Sequence, residues 1–268
     1  MAIHEGKEHH HHHNDSSHRP GTHEQKRVRI QNRYGEKLVG ILHETGSKEV
    51  VIICHGFRSS KDRIPMVNLA AAFEKEGISA FRFDFAGNGE SEGSFQYGNY
   101  RREADDLRAV VQHFQEEKRF VAALVGHSKG GNAVLLYASR DNDIQIIVNI
   151  AGRFNLERGI EGRLGKTKYR VSKESLMDRL ATDTRAACQK IDRNCRVLTV
   201  QGSMDELVPV SDAKEFAKHM PNHILHIFEG ADHYFTSHQH ELASVVLDFV
   251  TNGLTECRRV HRFIHSRF

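Results

Sequence analysis

The chain of 268 residues has no tryptophan and four cysteines, none of them in a C-x-x-C pair. Zinc ribbons and thioredoxin-type redox sites need that close pairing, so its lack argues against both. Cys54, Cys188, Cys195 and Cys257 read as free thiols, with Cys54 closing an apolar run as a small buried residue. No stretch approaches the roughly 20 apolar residues of a membrane span. The N-terminus lacks the apolar core of a secretory signal and is too acidic and His-rich for a transit peptide, so the expected location is cytoplasmic. A net charge of +3 is small for this length and gives no reason to expect a nucleic-acid partner. What the chain does have is 38% apolar content, enough for one sizeable globular domain with a small insert.

Both ends read as tails. Residues 1–24 carry a histidine run from His9 to His13 and almost nothing that could be buried, which reads as a disordered, solvated tail or a tag ahead of a metal-binding tract. Residues 254–268 form a basic tail, and Arg258 to Phe268 hold four arginines, no acid and no clear period, so this end is expected to be mobile.

Between the tails, 25–253, the pattern alternates. Lys37–His43 and Val50–Cys54 read as strands, and Met66, Leu69, Ala70 and Phe73 share one helical face. Ser79–Phe83, Val121–Val125, Ile144–Ile150, Arg196–Val200 and His223–Phe228 read as further strands. The stripes Ala104/Leu107/Val111/Phe114, Ala213/Phe216/Ala217/Met220 and Leu242/Val245/Val246/Phe249 read as helices between them or after them. Such alternation predicts an α/β fold, a mainly parallel sheet flanked by helices, with an antiparallel hairpin only at the start, through Tyr34 and Gly35. The alternation breaks at 153–192, a charged stretch read as a small inserted lid after the sixth strand, with Ser175 and Asp178 as a capping box. Leu176, Met177 and Leu180 then share a helix face and are expected to line the substrate pocket.

Gly126-His127-Ser128-Lys129-Gly130 is a G-x-S-x-G motif between an apolar strand and a helix that is apolar nearly all round. A serine on such a tight turn sits in strained backbone geometry and projects from the C-terminal edge of the sheet. A hydroxyl needs a base, and the base an orienting acid. Asp205 and His233 fall in the loops after two successive strands downstream, in the order Ser, Asp, His, with Glu206 and Asp232 as rival acids. The negative oxygen of a tetrahedral intermediate needs preorganised donors, for which the backbone N–H groups of Lys129 and Phe57 are placed. The Lys129 side chain would add positive potential near the oxyanion or, as exposed lysines more often are, be merely solvated. No His/Cys/Asp cluster with ligand spacing surrounds these motifs, so no metal and no cofactor is expected.

The segments CHGFRSSKD, FRFDFAGNGESEG, VGHSKGGN, VQGSMDELVP and EGADHYF, spread over residues 27 to 250, resemble the α/β-hydrolases related to bacterial cinnamoyl and feruloyl esterases and their plant relatives. The resemblance implies the triad Ser128, Asp205 and His233, an oxyanion hole at Phe57 and Lys129, and ester hydrolysis without a cofactor. Asp84, Gly87 and Gly89 then fix a tight loop beside the oxyanion hole. The chain departs from its relatives where only Thr167 and Lys168 separate Arg163-Leu164-Gly165-Lys166 from Tyr169-Arg170-Val171, implying a shorter lid and a more open pocket. The function expected is a serine hydrolase for carboxylic esters of small or medium acyl groups, the hydroxycinnamoyl type among them, with a small-molecule ester as partner and no membrane. Two other readings remain: a ligand receptor on a hydrolase scaffold, and an acyltransferase using the same acyl-enzyme.

Overall fold

A computed structural model describes residues 23–160 and 171–266. Eight strands form one sheet: β1 (Glu24–Gln31), β2 (Lys37–Glu44), β3 (Glu49–Cys54), β4 (Ser79–Phe83), β5 (Phe120–His127), β6 (Ile146–Ile150), β7 (Arg196–Gly202) and β8 (His223–Phe228). Their order is β1-β2-β4-β3-β5-β6-β7-β8. The β1–β2 hairpin and the β2–β4 pair are antiparallel, and every other pairing is parallel. The helices are α1 (Met66–Lys75), α2 (Tyr100–Glu116), α3 (Lys129–Arg140), α4 (Lys173–Ala181), α5 (Thr184–Lys190), α6 (Val210–His219) and α7 (Gln239–Ser266).

The central strands are apolar without interruption because both of their faces are covered. On β3, Val50, Ile52 and Cys54 point into one core with Leu107, Val111 and Phe114 of α2, Leu135 and Tyr137 of α3 and Phe216 of α6. Val51 and Ile53 point into the other with Leu69 and Phe73 of α1 and Leu242 and Val246 of α7. Each such side chain, fully buried, contributes about 1.5–3 kcal/mol. This layering holds the sheet's C-terminal edge rigid, and that edge carries the candidate site.

Four expectations are corrected. The C-terminal stretch is not an irregular tail: α7 continues through it to Ser266. Once a helix is nucleated, adding residues costs little, and Arg258 is tied to Glu49 by an ion pair. Leu254 is the last core residue, after which Val260, Phe263 and Ile264 repeat at helical spacing but stand exposed. At the other end β1 already starts at Glu24, while residues 1–22 lie outside the described residues. The insert is also smaller than 153–192. Helix α5 carries Cys188 into the core shared with α3 and α6, so it is an ordinary sheet-flanking helix. Only 153–182 is added, and its segment 161–170, with the shortened Arg163–Val171 junction, lies mostly outside the described residues. Finally, Ser172 caps α4 by accepting from Ser175 N (3.1 Å), while Asp178 accepts from Asn99 N (2.7 Å) across the pocket rim.

A buried ion pair ties the loops after β3 and β4 together. Asp84 Oδ1 accepts from Lys61 N (2.8 Å), and Asp84 Oδ2 accepts from Lys61 Nζ (2.8 Å) and Glu90 N (2.9 Å). Gly89 fits there because a Cβ would stand 2.4 Å from the Asp84 carboxylate. Lys61 also reaches Glu90 and Asp62, and both Lys61 and Asp84 are buried. Removing one partner of a buried pair strands the other charge. Lys61→Met is expected to lower the unfolding free energy by about 3–5 kcal/mol, measured by urea denaturation.

Candidate active site

The turn from β5 to α3 is made by close backbone approach. A Cβ on Gly126 would lie 2.0 Å from Gly130 O, and one on Gly130 would lie 2.5 Å from Cys54 O. Ser128, between them, has φ 57° and ψ −121°, a conformation unfavourable for any side chain. The turn is held by Ser128 N donating to Ile150 O at 2.7 Å, and by Gly131 N donating to Ser128 O at 2.8 Å.

Ser128 Oγ lies 3.0 Å from His233 Nε2, and His233 Nδ1 lies 2.7 Å from Asp205 Oδ2. The three side chains anticipated from the sequence are therefore brought together in one chain of hydrogen bonds. Asp205 Oδ1 accepts from Leu207 N and Val208 N, each at 2.8 Å, and Oδ2 also accepts from Gln201 Nε2 at 3.0 Å. The Asp205 side chain is fully buried. Burial alone would raise its pKa, but the bonds from His233 and the two amides outweigh it and hold the carboxyl below its usual range. It is thus an anion that keeps the Nδ1 proton on His233 and turns Nε2 toward the serine.

The rival acids point elsewhere. Glu206 is exposed. Asp232 accepts from Thr236 N (2.8 Å) and Thr236 Oγ1 (2.7 Å), closing the turn after His233. Phe57 and Lys129 both border the cavity in front of Ser128. A Cβ on Gly56 would stand 2.9 Å from Ser128 Cβ, so the Gly56–Phe57 backbone passes directly beside the serine. Lys129 is the first residue of α3, where an N–H has no acceptor within the helix.

Leu176, Met177 and Leu180 do not border the cavity. Helix α4 turns Ser175 and Arg179 inward, while Met177 and Leu180 are exposed and Leu176 is half-buried. Apolar content thus named the wrong face, because the inward side is held by the polar contacts of Arg179 rather than by area burial. Lys129 is corrected as well. Its side chain is 5% exposed and its Nζ lies 3.0 Å from Glu103 of α2. Burial pushes the Glu103 carboxyl up to about 7 against the pull of Lys129. The signal for this pair was legible: Glu103 falls on the same helix face as Leu107 and Val111, one turn before Leu107, a charge on the apolar stripe.

Two buried histidines support the site and went unassigned in the sequence. His127 Nε2 donates to His233 O at 2.8 Å, and His55 Nδ1 donates to Gly56 O at 2.7 Å while its Nε2 accepts from Phe85 N at 3.1 Å. Burial lowers His127 to about 3 and His55 to about 4, so both are neutral.

A mainly parallel sheet with helices on both faces, and a serine on a strained strand-to-helix turn at its C-terminal edge, define an α/β-hydrolase. Residues 45–194 match the Hydrolase_4 family (serine aminopeptidase, S33), and the chain belongs to that family. An uncharacterized protein of Saccharomyces cerevisiae is 25% identical over 226 residues, which span 70% of this chain and 69% of the yeast protein. Among solved structures, Est1E from Butyrivibrio proteoclasticus with ferulic acid bound superposes with a TM-score of 0.75 at 22% identity, covering 85% of this chain and 99% of that one. The Pyrococcus furiosus esterase Pf2001 superposes at 0.71 with 26% identity, covering 85% and 92%. The α/β-hydrolase GrgF from Penicillium superposes at 0.77 with 20% identity, covering 87% and 99%.

The neutral state of His127 has a consequence for stability. The unfolded chain protonates this histidine below about pH 6.5, whereas the folded chain resists down to about 3. Between those values the unfolded state binds more protons, so the contribution of His127 is complete above pH 6.5 and is lost as pH falls. Glu103 and Asp106, raised to about 7 and about 6, titrate in the opposite sense but are common to wild type and variant. His127→Gln is expected to be less stable than wild type at pH 7.5, with the gap shrinking by roughly 2 kcal/mol between pH 6.5 and 4.5 in paired urea titrations.

Proposed function

We propose that the chain is a serine esterase that hydrolyses carboxylic esters of small or medium acyl groups through an acyl-enzyme. The observation that carries this reading is the continuous hydrogen-bonded chain from Ser128 Oγ through His233 to the buried Asp205. The cavity before the serine, about 120 Å³, is well below the 300–1,000 Å³ typical of drug-sized ligand pockets and suits short acyl groups.

In this reading His233 Nε2 takes the Ser128 proton as Oγ attacks the ester carbonyl carbon, and Asp205 balances the imidazolium that forms. The oxygen of the tetrahedral intermediate turns toward the N–H groups of Phe57 and Lys129, at the positive end of α3. His233 then passes its proton to the leaving alkoxide, and the alcohol departs. Water enters, gives a proton to His233 and attacks the acyl carbon; the carboxylic acid leaves, and Oγ recovers its proton.

The test is turnover of p-nitrophenyl esters from acetate to octanoate, together with methyl ferulate. Short-chain esters should be the best substrates, and Ser128→Ala should abolish turnover with circular dichroism unchanged. Retained turnover in that variant would remove Ser128 as nucleophile. Asp205→Asn should fold but lose about 10³–10⁴-fold in kcat, because an amide favours the wrong histidine tautomer.

A further inference from the structure

One wall of the cavity carries positive charge that acyl transfer does not use. Arg179 of α4 faces it and is 7% exposed. Its Nε donates to Leu156 O (2.9 Å), Nη1 to Tyr97 Oη (2.7 Å) and Nη2 to Arg158 O (2.5 Å). All three acceptors are neutral. A guanidinium has five N–H donors, so among the described residues two remain without an acceptor, one on each terminal nitrogen. Arg153, in the segment after β6, borders the same cavity, with Nη2 donating to Leu207 O.

Among the described residues neither guanidinium is ion-paired with a carboxylate; the acids nearby bond to backbone amides or to Lys129, and Asp212 attracts Arg153 without bonding to it. Asp178 Oδ2 accepts from Asn99 N, and Asp212 Oδ2 accepts from Phe154 N (2.9 Å) and Asn155 N (3.2 Å). Glu103 is neutralised by Lys129. Burial, and then the repulsion of Arg179, depress the pKa of Arg153. Guanidinium groups remain charged even so. A buried guanidinium beside a half-buried one, with no carboxylate bonded to either among the described residues, is a costly arrangement. An anion between them relieves the repulsion, and the planar two-oxygen carboxylate matches the free donors of the Arg179 fork.

We infer that the ester cleaved at Ser128 carries a second, free carboxylate, which Arg179 and Arg153 hold in the cavity. This rests on the esterase reading and names its substrate class: short half-esters, with the carboxylate on the acyl side or on the alcohol side. Arg179 and Arg153 are then specificity residues, set apart from the groups that move protons.

The experiment compares isosteric pairs differing only in charge. Monomethyl succinate against methyl succinamate places the charge on the acyl side; acetoxyacetate against acetoxyacetamide places it on the alcohol side. In one pair, kcat/KM should favour the charged member by about 10- to 100-fold, the range of a charge-assisted hydrogen bond. Arg179→Gln and Arg153→Gln, made separately so that one misfolded variant leaves the other, should each bring that ratio toward one. Met177→Ala, exposed and outside the cavity, should leave it unchanged. A wild-type ratio at or below one in both pairs overturns the inference and leaves the esterase reading intact. Calorimetry on Ser128→Ala reads binding without turnover, using all four compounds. Tighter binding of the charged member of either pair sustains the inference even if no ester is hydrolysed, an outcome that would refute the esterase reading instead. Equal or weaker binding of the charged member in both pairs overturns it.

Discussion

The backbone turn at Ser128 is the constraint on which the rest of the site depends. A serine at φ 57° is stable only if the surroundings over-determine it. Here the strand before it is locked between β3 and β6, the helix after it is buried, and the backbone of the β3 loop presses against Gly130 and Ser128. The same contact that forces the turn brings the Gly56–Phe57 backbone alongside the serine. Nucleophile position and the proposed oxyanion donors therefore follow from a single packing arrangement. The Lys61–Asp84 pair secures that loop from its far side, coupling it to the turn after β4.

Charge is distributed unevenly around this turn. The carboxylate of Asp205 is surrounded by donors and is held ionised, whereas Glu103, buried on α2 and served mainly by Lys129, is pushed up to about 7. The two acids thus have opposite environments: donors outweigh burial at Asp205, and burial outweighs the one cation at Glu103. His127 and His55 are kept neutral and act as fixed hydrogen-bond struts beneath the site. One wall of the cavity carries Arg153 and Arg179, neither of which is ion-paired with a carboxylate among the described residues.

The inserted segment contributes less chain than its sequence suggests and a different chemistry. Helix α5 belongs to the sheet's covering layer, leaving α4 and the residues around it as the added part. The inward face of α4 is polar: Arg179 bonds to the carbonyls of Leu156 and Arg158 and to Tyr97. A short helix anchored by one guanidinium has its orientation fixed by direction-specific bonds, and its apolar side chains are left half-buried or exposed.

The sequence alone determined the alternation of strands and helices, the elbow at Ser128, and the loops carrying Asp205 and His233. Each of these is a local pattern: continuous apolar runs for doubly covered strands, a glycine-flanked serine between strand and helix, and an acid and a histidine directly after two strands. Only the tertiary structure separated Asp205 from Glu206 and Asp232, because the choice depends on which carboxylate meets His233 across 28 residues of chain. It alone paired Lys129 with Glu103, turned Arg179 inward in place of Met177, and carried α7 on to Ser266. Those outcomes depend on partners distant in sequence and on hydrogen-bond direction, which hydrophobic periodicity does not encode.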